Sequence, residues 1–152
     1  MSTGYLIALL IILLLGAFLL SFIGLLWYIF RRPLARLKGQ AQAAGLSAAV
    51  EIVRDRWGVP HIYAETERDA YLALGYVHAQ ARLFQMAYAR RLARGTLAEV
   101  FGPPALEADR WSRTIGFWRA AQQDLQALEA GEQAVLTAYA AGVAAFVDAN
   151  RL

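Results

Sequence analysis

The chain has 152 residues, of which 59% are hydrophobic, with a formal net charge of +3, two histidines and no cysteine. The absence of cysteine excludes disulfides, thiolate catalysis and cysteine-based zinc sites, but it leaves the cellular compartment open. Much of the positive charge comes from one basic cluster beside an apolar run. Such a cluster indicates binding to anionic lipid headgroups rather than to nucleic acid. We therefore predict no nucleic-acid partner.

The first predicted element is a transmembrane helix over residues 5–30, which contain no charged side chain. At about 1.5 Å per residue this helix is roughly 39 Å long, enough to cross a hydrocarbon core of roughly 30 Å with some tilt. A signal-peptide apolar region is shorter, about 7–15 residues, and follows a basic residue that is missing from residues 1–4. The pattern predicts a single-pass N-terminal anchor with the lipid bilayer as a partner.

A basic juxtamembrane segment and linker is predicted over residues 31–47. Its charges are Arg31, Arg32, Arg36 and Lys38, which by the positive-inside tendency favour a cytoplasmic location for the rest of the chain. That tendency weakens when a large domain follows, because long domains translocate largely regardless of flanking charge. The run KGQAQAAGLS, rich in Ala, Gly and Gln, then separates the span from the next segment.

Two short strands joined by a turn are predicted next. In AVEIVRD, Val50 and Ile52 fall on one face and Glu51 and Val53 on the other, which is typical of a strand with one buried face. The run Gly58-Val59-Pro60 bends the chain before a second short strand, HIYA.

A long helix follows, from Thr66 to about Arg94. Asp69 stands at the capping-box spacing from Thr66, and Gly95 is well placed as the helix stop. Two stripes recur at steps of three and four, one apolar and one polar: Leu72, Tyr76, Ala79, Leu83 and Met86, and His78, Arg82 and Gln85.

Three further helical patterns complete the chain. TLAEVF predicts a short helix that ends at Gly102-Pro103-Pro104. One helix is then predicted to carry Ile115, Trp118, Leu125 and Leu128 on a single apolar face, and a last helix to align Val135, Tyr139, Val143, Phe146 and Val147. The fold class is therefore α+β, mainly α. About 100 residues with several apolar helix faces and only two strands predict an incomplete domain, part of a larger core.

His61 is the first candidate for a catalytic side chain, because histidine titrates near neutral pH and Asp55, Glu65 and Glu67 are close in sequence. We favour a structural histidine, held by a carboxylate or a carbonyl beside the turn. His78, on the polar stripe of its helix, is likewise expected to have a structural or solvent-facing role.

A nucleophile and a metal site are both missing from the sequence pattern. Ser47 lies in the linker and Ser112 in a helical region, neither within a Gly-x-Ser-x-Gly turn. No His-Glu-x-x-His motif and no calcium-loop spacing occurs. The pairs Arg31-Arg32 and Arg90-Arg91 lack a Gly-rich loop and are better explained by helix-dipole pairing and solvation. We predict no catalytic, cofactor-binding or metal-binding residue in this chain.

The sequence from Val50 to Gly102 resembles the opening of precursors of the penicillin acylase (penicillin amidase) family. Three blocks, RDRWGVPHIYA, GYVHAQARLFQM and RRLARGTLAEVFG, follow the family's order and spacing, and a helix such as YAAGVAAFVDA comes after them. The resemblance covers roughly residues 46–150. The family usually has Asp in AQDRLFQM, where this chain has Ala81, which puts a local contact of Arg82 in doubt.

The resemblance implies that residues 48–152 are an incomplete N-terminal part of the α chain of an N-terminal nucleophile hydrolase, whose four-layer αββα fold a β chain completes. In that family a Ser at the start of the β chain is the nucleophile, with its α-amino group as base. That Ser, the acyl-pocket residues and the calcium-binding residues are all outside this chain, so calcium is an expectation for the full-length protein only.

The function implied is that of a membrane-anchored amidohydrolase precursor with its hydrolase part outside the cytoplasm. Its expected substrates are small N-acyl compounds, β-lactam antibiotics or acyl-homoserine lactones, and this chain alone is expected to be inactive and to fold poorly. The alternative is a non-catalytic, membrane-tethered helical scaffold or interaction protein.

Overall fold

The structure, a computed structural model, describes residues 3–31 and 37–150. It divides into a first unit, residues 1–39, and a second unit, residues 40–152. Helix α1, Thr3–Arg31, forms the first unit and buries none of its residues. Its bounds extend the predicted span by two residues at the start and one at the end, within the usual scatter of helix termini. Arg32 and Arg36 of the predicted basic segment lie outside the described residues.

The second unit begins with a β-hairpin. Strands β1 (Glu51–Arg54) and β2 (Pro60–Tyr63) pair antiparallel, with Ile52 opposite Ile62. In the turn, the Asp55 carboxylate accepts hydrogen bonds from the N–H groups of Trp57 and Val59 at 2.8 and 2.9 Å. The predicted order of strand, turn and strand is confirmed.

The prediction of one buried face on the first strand is wrong. Ile52 is 38% exposed and Val53 is 46% exposed. The hairpin packs on α2 through β2, so β1 lies at the outer edge and has no second layer in the described part of the chain. Arg54 reaches from β1 to α2, where its guanidinium donates to Gln80 Oε1 at 2.7 Å.

Helix α2, Glu67–Arg94, has the predicted bounds. Thr66 caps its start by accepting the Asp69 N–H at 3.1 Å, and Gly95 ends it in the left-handed conformation with φ 66°. Only a residue without a Cβ adopts that conformation at little cost. At Arg82 the backbone leaves helical geometry, with φ −148° and ψ 34°, which produces a kink that the periodicity does not predict.

The segment after α2 contains three helices and a 3₁₀ turn. They are α3 (Ala98–Phe101), the turn Pro103–Ala105, α4 (Leu106–Ile115) and α5 (Phe117–Ala127). The prediction of a single helix carrying Ile115, Trp118, Leu125 and Leu128 on one apolar face is wrong. Gly116, with φ 85°, ends α4 and changes the chain direction, so the four side chains cannot share one helix face.

Helix α6, Ala130–Ala149, packs against α2 and forms the core with it. Among the described residues, the buried apolar side chains come mainly from α2, with one from α6 and one from the α2–α3 connection: Leu72, Ala73, Val77, Ala79, Ala138 and Leu97. The predicted face of α6 is half-buried against this core. Tyr76 and Phe146 meet edge to face with ring centroids 5.4 Å apart.

Two glycines allow the backbones of α2 and α6 to touch. A Cβ on Gly142 would lie 1.8 Å from the carbonyl oxygen of Leu72, and a Cβ on Gly75 would lie 2.0 Å from that of Tyr139. No side chain can yield at either place, because the neighbouring atom is backbone. The distance between the two helices therefore depends on both glycines.

By length and composition, two of the described helices, α1 and α6, are apolar enough to cross a membrane. They differ in their contacts. Helix α6 has Ala138 and Gly142 buried against α2, whereas α1 has no buried residue. We interpret α6 as a packing helix of the second unit.

We expect Gly142→Ala to lower the free energy of unfolding by about 3 kcal/mol or more, because overpacking usually costs about 1–3 kcal/mol even where side chains can yield. The measurement is urea unfolding of the completed precursor in lipid nanodiscs, followed by circular dichroism, because the 152 residues alone are expected to be an incomplete domain. Gly131→Ala is the matched control in the same helix, since nothing lies within 4 Å of its Cβ. It should be neutral or slightly stabilising. Equal unfolding midpoints for the two variants would show that the helices do not touch at Gly142.

Candidate functional site

Asp69, at the start of α2, is completely buried and binds the linker that precedes the hairpin. Its carboxylate accepts the N–H groups of Ser47 and Ala48 at 3.1 and 3.3 Å, and also the Ser47 hydroxyl. The adjacent Arg68 donates to the Gly45 carbonyl at 2.5 Å. We call Gly45, Ser47, Ala48, Arg68 and Asp69 the linker cluster.

The electrostatics of the linker cluster argue against a nucleophilic Ser47. The Ser47 hydroxyl, and next the Ser47 N–H, lower the pKa of the Asp69 carboxyl, while burial acts in the opposite direction. A carboxylate with a lowered pKa is a poor general base, because an efficient base titrates near the working pH. The cluster therefore fastens the linker to α2, and Asp69 does not activate the hydroxyl.

A second buried carboxylate, Asp109 on α4, has a similar structural role. It accepts the N–H groups of Leu97 and Ala98 at 2.7 and 2.9 Å. These are donors that the first turn of α3 leaves without a helical partner. Arg113, one turn further along α4, donates to the Gly95 carbonyl at 2.8 Å. Both contacts attach α4 to the connection between α2 and α3.

The two histidines lie in different surroundings. His78 Nδ1 is 3.0 Å from the hydroxyl of Tyr139, so it links α2 to α6. The His61 side chain is 52% exposed, and its Nε2 is 3.6 Å from Asp55 Oδ2. Glu65 and Glu67, both exposed, form no ion pair with His61 in the described part of the chain.

The bond from the Val59 N–H is the largest cause of a lowered pKa at Asp55, partly offset by burial, and the Trp57 N–H and His61 contribute further lowering. Asp55 therefore serves mainly to fix the hairpin turn. Within the described ranges, no base, acid and nucleophile come together around His61.

Ser112 is fully buried in α4, and its hydroxyl has no hydrogen-bond partner among the described residues. No substrate can reach it there. Of the arginine pairs, Arg91 binds Glu99 at 2.7 Å, and the neighbouring Arg94 lies 4.6 Å over the ring of Trp118. Arg31 ends α1, while Arg32 is outside the described residues. No group of three His, Asp or Glu side chains converges within residues 3–31 and 37–150.

The family model of penicillin amidase matches residues 49–152. The chain is 50% identical over 111 residues to penicillin acylase 2 proenzyme of a Pseudomonas species, and 40% identical over 108 residues to penicillin G acylase of Escherichia coli. It is 45% identical over 103 residues to acyl-homoserine lactone acylase QuiP of Pseudomonas aeruginosa. These matches cover 68–73% of this chain but only 12–14% of the relatives.

A solved structure is also similar, that of the thermostable penicillin G acylase from Alcaligenes faecalis. The TM-score is 0.60 at 36% sequence identity, over 66% of this chain and 54% of the solved chain. About two thirds of this chain thus has a counterpart in a solved acylase chain.

We expect Asp69→Asn to release residues 45–48 from α2, because an amide nitrogen would face the N–H donors of Ser47 and Ala48. By hydrogen exchange with mass spectrometry, the amides of this segment should exchange at least about tenfold faster at pH 7. Because the pKa of Asp69 is lowered on folding, its stabilising effect is complete above about pH 4 and is lost as the pH falls through the folded-state pKa. After correction for intrinsic exchange, the original protein should lose protection only in that acidic range.

Asp55→Asn is the control for this experiment. It removes a carboxylate whose pKa is also lowered, but one that binds the hairpin turn and not the linker. Protection of residues 45–48 should be unchanged in this variant. If Asp69→Asn protects the segment as well as the original residue does, the carboxylate does not hold the linker.

Proposed function

Because the chain belongs to the penicillin amidase family, we propose that it is the N-terminal part of the α chain of a membrane-anchored amidohydrolase precursor. The observation that carries the proposal is 50% identity over 111 residues to a proenzyme of which this chain covers only 14%. The similar solved acylase chain supports the same assignment, since it matches 66% of this chain at 36% identity. In this proposal most of the enzyme lies outside the 152 residues.

The proposed reaction is hydrolysis of the amide bond of an N-acyl compound by an N-terminal Ser of a β chain. The described residues are consistent with a supporting role for this chain. Its two buried carboxylates bind backbone N–H groups, its buried serine is inaccessible, and its exposed histidine faces only Asp55. The chain would supply a rigid layer against which the β chain folds, and the β chain is its proposed partner.

The proposed substrates are small N-acyl compounds. Relatives named for penicillin and for acyl-homoserine lactones match this chain almost equally well, at 50%, 45% and 40% identity. We therefore propose a β-lactam antibiotic or an acyl-homoserine lactone, and the choice between them rests on residues outside this chain.

The proposed location is the membrane, with the second unit on the extracytoplasmic side. Support for the anchor comes from α1, whose apolar side chains are all exposed over 29 residues and so need an apolar environment. The basic residues after the helix argue for the opposite orientation, but a large translocated domain overrides such charges.

We propose calcium binding for the full-length protein only. The described residues of this chain do not form a calcium site. A calcium ion takes six to eight oxygen ligands, including carboxylates. The carboxylates of Asp69 and Asp109 are both occupied by backbone N–H groups, and in the described ranges no three acidic or histidine side chains converge. Any such ligand set would therefore come from other parts of the protein.

A non-catalytic, membrane-tethered scaffold is the second candidate function. It is favoured by one observation: the two buried carboxylates of the described residues, Asp69 and Asp109, connect secondary-structure elements through backbone N–H groups. The two candidates differ in what they require of the rest of the protein, because only the enzyme needs a Ser at the start of a second chain.

We expect the 152-residue chain alone to hydrolyse nothing, and the completed precursor to hydrolyse chromogenic N-acyl anilides of aromatic or long aliphatic acids. Changing the Ser that begins the β chain to Ala should abolish both self-cleavage and turnover, a loss of at least about a thousandfold. His61→Gln is the matched control, and it should leave kcat/KM close to that of the unsubstituted precursor. Activity of the short chain, or full activity of the Ala variant, would contradict the proposal.

We expect alkaline phosphatase fused after residue 45 to be active, because the proposed orientation exports the fusion through the membrane. A fluorescent protein that folds only in the cytoplasm, fused at the same position, should be dark. Both fusions should fractionate with membranes. A bright fluorescent fusion with an inactive phosphatase would reverse the orientation, and recovery of the fusions in the soluble fraction would contradict the anchor.

A further inference from the structure

We draw no further inference here: the strongest candidate, the stripe of small side chains that Ala17, Ser21 and Gly24 form on the exposed surface of α1, carries no proposal, because nothing in the described part of the chain shows what covers it.

Discussion

The contact between the backbones of α2 and α6 is the constraint on which the rest of the second unit depends. At Gly75 and Gly142 the two helices approach so closely that even a methyl group would overlap a carbonyl oxygen. Leu72 and Val77, on the same helix as Gly75, are fully buried. It follows that small residues in α6 are part of the packing, and that the apolar character of α6 serves the core.

Three other parts of the second unit, namely the linker, the hairpin and α4, are attached to α2 or its ends. The linker is held at the start of α2 by Asp69, the hairpin by the bond from Arg54 to Gln80, and α4 at the end of α2 by Arg113. In each bond a charged side chain contacts a backbone or amide group. Such a bond fixes the orientation of the attached element as well as its distance from α2. A single helix thus fixes the arrangement of elements that hardly touch one another.

Local signals in the sequence predicted the hairpin and both ends of α2, because a capping Thr, a left-handed Gly and a Gly-Pro turn act through their immediate neighbours. The break at Gly116 was missed because the apolar residues on both sides continue a helical period. The kink at Arg82 has no residue that signals it, and the burial of Asp69 depends on Ser47, 22 positions earlier. Long-range contacts of this kind are invisible to periodicity.

The three sequence blocks that identify the family fall where elements are joined. The first block contains Asp55, which fixes the hairpin turn, and Arg54, which reaches α2. The second block contains Gly75 and His78, which contact α6. The third contains Gly95 and the N–H groups bound by Asp109.

Residues used for such joints are constrained by the geometry of the contacts they make. That accounts for the similar identity of this chain to relatives named for penicillin and for acyl-homoserine lactones. The blocks therefore record how the hairpin, α2, α4 and α6 are joined, and they mark the family through its scaffold.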